Sequence, residues 1–117
     1  MGGDSIASVT RLTTPTQFFE FEYDPSEYAR IQITYKQGSN IILVKEKEDL
    51  IIEPEVVDEK TVYVASFKLT QEETKKFAPG NSPVKIQVRI ITASGDADAS
   101  DIYSLSVKDV LNDEVLI

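Results

Sequence analysis

The feature that most constrains this chain is an apolar–polar alternation of period two that returns along most of its length. In 17–23, Phe19, Phe21 and Tyr23 fall on one side and Phe18, Glu20 and Glu22 on the other. In 29–36, Ile31, Ile33 and Tyr35 alternate with Gln32, Thr34 and Lys36. The pattern is clearest in 83–92, where Val84, Ile86, Val88 and Ile90 alternate with Lys85, Gln87 and Arg89. Residues two apart share one face of a strand, so each stretch reads as a strand with one face turned to a core. Further strands are predicted over 41–45, 49–53, 61–68 and 97–107, the second of them ended by Pro54, which lacks a ladder donor.

Turn chemistry separates these runs. Asp24-Pro25-Ser26-Glu27 has proline where a type I turn prefers it, and Gln37-Gly38-Ser39-Asn40 reads as a polar hairpin loop. The period changes once. Thr70-Gln71-Glu72-Glu73 is a capping box, in which the threonine hydroxyl accepts from the third helical amide and the glutamate reaches back. It predicts one helical crossover over 70–77, with Phe77 returning to the core.

About seven short strands joined by turns, and no second amphipathic helix, predict an all-β fold: an antiparallel, immunoglobulin-like sandwich with one short helical turn near 70–77. A partly open barrel built from the same strands is the alternative. The expected core is Phe19, Phe21, Ile31, Ile33, Tyr35, Leu43, Val62, Val64, Phe67, Phe77, Ile86, Val88, Ile90, Leu105 and Val107. With 117 residues there is room for one domain, expected over 10–117 behind a flexible leader at 1–9.

Composition then narrows the chemistry. The chain has no cysteine, histidine or tryptophan, which removes disulfides, thiol nucleophiles, Cys/His metal sites and imidazole bases. A Ser–Lys pair needs a buried lysine, and no lysine here sits inside an apolar run without alternation explaining it as surface. A non-enzymatic protein without cofactors is expected. The formal charge of -8 disfavours nucleic acid and anionic membranes as partners, and no apolar run approaches membrane-spanning length. No signal-peptide pattern stands at the start.

Three segments remain as candidate sites. Asp96, Asp98 and Asp101 lie close in sequence, as at the start of a calcium loop, but Asp101 and Val107 stand where that motif needs glycine and a bidentate glutamate. Weak metal candidates at best, they read more simply as loop residues capping local amides. Residues 46–59 carry seven acids against the single Lys47. Glu53, Glu55, Asp58 and Glu59 there form either a solvated, aggregation-resistant edge or a docking face for a basic protein. The apolar ending Val115-Leu116-Ile117 is read as a last edge strand or core packing, or as an exposed strand that augments a neighbour's sheet.

Thr13-Thr14-Pro15-Thr16 before an aromatic strand, Leu69 to Thr74 before Phe77, Ile86 to Arg89 followed by Gly95 and Ala99 to Ile102, and Asp109 to Val115 together carry a resemblance. The chain resembles a group of short, mostly uncharacterised phage and prophage proteins of Gram-positive bacteria, from about Thr10 onward. Its architecture is similar to the N-terminal sandwich of phage baseplate upper proteins. Leu12 departs from the pattern, which favours glycine before Thr-Thr-Pro. The resemblance implies a structural protein of the virion or tail, assembled in the host cytoplasm through contacts with other virion proteins or with itself, as a homo-oligomer. Three other classes stay open. A carbohydrate- or host-surface-binding module would use exposed tyrosines among Tyr23, Tyr28, Tyr63 and Tyr103. A hydrolase would need a deep pocket with a perturbed carboxylate. A DNA-mimicking inhibitor would need the acids of 46–59 on one face.

Overall fold

The computed structural model describes residues 7–117, in which nine strands form two sheets. In chain order the strands are β1 (Ala7–Thr10), β2 (Thr16–Phe21), β3 (Arg30–Gln37), β4 (Asn40–Glu46), β5 (Ile51–Val57), β6 (Lys60–Lys68), β7 (Gly80–Ile91), β8 (Ala97–Ala99) and β9 (Tyr103–Lys108). One sheet runs β1-β9-β7-β3-β4, with β8 also paired to β7; the other runs β2-β6-β5. All pairings are antiparallel except the parallel β1–β9 contact. The fold is therefore an all-β sandwich of two separate sheets. Its orders β9-β7-β3-β4 and β2-β6-β5 match strands G-F-C-C′ and B-E-D of the immunoglobulin arrangement.

The core is the inward face of each alternation. Ile31, Ile33 and Tyr35 of β3 and Val84, Ile86 and Val88 of β7 are buried between the sheets, with Leu43, Leu105 and Val107 beside them. Aromatic rings bridge to the smaller sheet, where a disulfide lies in antibody domains. Tyr35 meets Phe67 edge-on at 6.2 Å and stacks with Phe77 at 6.1 Å, while Phe67 stacks with Phe19 at 5.8 Å. Such pairs add roughly 0.5–1.5 kcal/mol each beyond the area they bury.

The predicted crossover is the helix α1 (Gln71–Lys75), and its capping box is complete. Two buried residues anchor it. Phe77 fills the core, and the Thr74 hydroxyl donates to the Thr13 carbonyl and accepts from the Thr13 amide. Just before Thr13, Leu12 takes a φ of 58°, a left-handed conformation in which glycine would be unstrained.

Several expectations need correction. Of the leader expected over 1–9, Ala7, Ser8 and Val9 belong to β1 and Val9 is a core residue; 1–6 lie outside the described residues. The predicted strand over 97–107 is two strands, because Ser100 is held to β7 by its amide, hydroxyl and carbonyl. With β1, this raises the count from about seven to nine. Val62 and Val64 turn away from the core, and Ala65 and Phe67 take the inward positions. Pro54 does not end its strand, because β5 is an edge on which a missing donor goes unneeded. Residues 109–117 form no strand.

Candidate functional site

The first strand of an immunoglobulin sandwich ordinarily lies beside the second, covering its edge. Here β1 pairs with β9 instead, so among the described residues β2 has a neighbour on one side only. A cleft of about 680 Å³ opens along that free edge, between β2 and the β8–β9 side of the larger sheet. Its wall is backbone: alternate amides and carbonyls of β2 point into it without ladder partners. Its floor is apolar, made by Ile86, Val88, Ile90 and Leu105.

The ring positions follow from the register. Tyr103 stands opposite Ile86 and so faces the sandwich interior, yet it is 53% exposed because no strand of the smaller sheet covers it. Phe18, 69% exposed, stands opposite Ser66 and so points to the outer face of the smaller sheet, beside the free edge. Tyr28 packs against Phe21 at 6.3 Å and closes one end. The polar groups of the wall are held in place. Gln17 accepts a 2.9 Å bond from the Tyr35 hydroxyl, and Ser100 accepts from the Val88 amide at 3.0 Å. The six residues of β2 offer roughly 20 Å of edge, the length of an added strand. This arrangement can bind an extended chain through backbone pairing, with rings to cover its side chains.

The structure separates the three aspartates. Asp98 opposes Ile90 on the cleft side and caps the Ala99 amide. Asp96 sits in a turn, accepting from the Ser94 hydroxyl, and Asp101 is exposed beyond it. No cluster of three potential metal-binding side chains forms among the described residues.

The acids of 46–59 do not share a face either. Glu46 forms a two-point bond with Arg30, and Asp49 accepts from the Glu46 amide. Glu53 and Glu55 point outward from β5, opposite Val64 and Val62. Asp58 and Glu59 form the β5–β6 turn. Val115, Leu116 and Ile117 form neither strand nor buried core, and Leu116 is tied to the start of α1. Gln71 grips Leu116 with both amide atoms, donating to its carbonyl and accepting from its amide, and leaves the Leu116 and Ile117 side chains in solvent.

The cleft was not foreseen in the sequence, which holds no local sign of which strand lies beside β2. Of its residues the sequence marks Tyr28, Tyr103 and Asp98 as functional candidates, and Phe19, Phe21, Ile86, Val88, Ile90 and Leu105 as core. Compared with known proteins, no family model matches this chain and no curated protein matches it.

Proposed function

We propose that this chain is a non-enzymatic structural protein of a phage or prophage particle, working by protein–protein assembly. The observation that carries the assembly reading is the free edge of β2 beside an apolar cleft. An unpaired edge with a ready apolar floor favours strand addition, in which backbone bonds supply affinity and side-chain pockets select the partner. The phage assignment rests on the resemblance of the segments from Thr13 to Val115.

Two measurements test this reading. Particles purified from an induced lysogen that carries the gene should contain the chain by mass spectrometry; expression without incorporation defeats the phage assignment. Tyr103→Asp places a charge in the cleft at an exposed position. It should abolish incorporation while leaving the melting temperature within a few degrees of the parent.

A carbohydrate-binding role has one observation in its favour: the exposed Tyr103 ring borders a cleft that also holds Asp98, a pairing of stacking surface and acceptor suited to sugars. Glycan-array binding lost in Tyr103→Ala would favour it over assembly.

A further inference from the structure

Despite the chain's charge of -8, one surface is basic. Partners in a ladder share a face, so the buried Ile33, Tyr35, Ile86 and Val88 fix Lys36, Lys85 and Arg89 on the outside of the larger sheet. All three are exposed, and they form no ion pair among the described residues. Glu46 is the one carboxylate at an outward strand position there, and Arg30 already holds it at 3.0 Å. Lys36 and Lys85 stand directly opposite each other, in a row completed by the neutral Ile41 and Ser104. Like charges at facing positions destabilise a sheet. A carboxylate laid across them removes that cost. Farther along the same face, Arg30, Gln32 and Arg89 border a hollow of about 70 Å³, large enough for a carboxylate group.

The complementary surface is on the other sheet. Glu53 and Glu55 project from the outer face of the edge strand β5, and Asp58 and Glu59 extend its turn. We propose that the basic face of the larger sheet, through Lys36, Lys85 and Arg89, docks the acidic edge of a second copy of this chain, formed by Glu53, Glu55, Asp58 and Glu59. The two surfaces differ, so the contact is heterologous: each copy keeps one free surface of each kind, and the array closes as a ring or grows as a filament. This inference rests on the assembly reading but uses neither the cleft nor the edge of β2.

A charge swap tests it. Lys36→Glu with Lys85→Glu reverses the basic face, and Glu53→Lys with Glu55→Lys reverses the acidic edge. All four positions are exposed, and thermal melts confirm folding. Light scattering over a concentration series at about 0.05 M salt should show self-association of the parent, weakening at about 0.5 M as screening grows. Each double variant alone should lose at least about tenfold in affinity. An equimolar mixture should associate again, since each variant supplies the intact surface the other lacks. A parent that stays monomeric at low salt overturns the proposal. Self-association that both variants retain also overturns it, but leaves the assembly reading standing through the cleft. If heparin or an oligonucleotide binds the parent and not Lys36→Glu with Lys85→Glu, while no self-association occurs, the face serves a polyanion and the proposal fails.

Discussion

The Lys45 ammonium and the Glu73 carboxylate meet at 2.6 Å, joining β4 to the first turn of α1 across the end of the sandwich. The same carboxylate accepts from the Thr70 amide at 2.9 Å, and the ammonium lies 5.7 Å from the centre of the Phe67 ring. Helix cap, ion pair and aromatic core thus converge on one carboxyl group. Burial pushes the Glu73 carboxyl up, but the bonds from Lys45 and Thr70 outweigh it and hold the group below its usual value of 4.5.

A carboxyl whose value is lowered by folding stabilises the fold above its unfolded value, and that stability is lost as pH falls through the folded one. Glu73→Gln removes the charge and should cost about 1–3 kcal/mol at pH 7. In urea melts the gap between parent and variant should be constant above about pH 5 and shrink below pH 4.5. A gap independent of pH down to the acid transition would mean that the charge contributes nothing.

Gln37 and Thr74 are the buried polar side chains among the described residues. The Gln37 amide nitrogen donates to the Ala78 and Ser82 carbonyls at 2.7 and 2.8 Å, and its oxygen accepts from the Ala78 amide at 2.8 Å. It fastens the end of β3 to the segment after α1. Gln37→Leu is of similar size but leaves three backbone groups in a part-buried setting without their partner, so a loss of about 1–3 kcal/mol is expected in denaturant melts. A loss below about 0.5 kcal/mol would show that water reaches those groups.

Gln37 also shows where the sequence stops informing. As a polar residue before Gly38 it reads as part of a turn; the alternation of Ile31, Ile33 and Tyr35 points position 37 inward only if the strand runs that far, and the pairing with Asn40 and Val84 carries it there. Runs with one apolar face, such as Ile31-Gln32-Ile33-Thr34-Tyr35, were legible because alternation alone chooses the inward side. The run from Val62 to Phe67 has apolar residues on both sides, and its register against β2 made the choice. The candidate sites follow the same division. The facing of Lys36 and Lys85, like the bare edge of β2, is set by which strands become neighbours.

Tyr35 provides a spectroscopic test of the core. Burial, with the nearby Glu73 charge adding to it, pushes its hydroxyl far above the usual tyrosine value of 10.0. A raised acid favours the fold below its unfolded value, and this contribution is lost as pH rises beyond it. Tyr35 should therefore resist ionisation near pH 10 and titrate only as the protein unfolds in alkali. Tyr35→Phe should abolish that late absorbance step. It should also cost about 1 kcal/mol by leaving the Gln17 oxygen without its donor.

The β5–β6 hairpin should be improvable. Asp58 and Glu59 have φ values of 50° and 67°, so both central residues of this turn are left-handed, the geometry of a type I′ turn. Asparagine followed by glycine suits those positions best, because glycine has no Cβ to crowd the backbone and asparagine tolerates the conformation. Glutamate at the second position carries strain on the order of 1 kcal/mol. Replacing the pair by Asp58→Asn and Glu59→Gly should raise stability by about 1 kcal/mol, or several degrees in melting temperature for a domain of this size. Glu59→Gly alone should deliver most of the gain. If it lowers the melting point instead, the entropy glycine adds to the unfolded chain outweighs the strain it relieves in the turn.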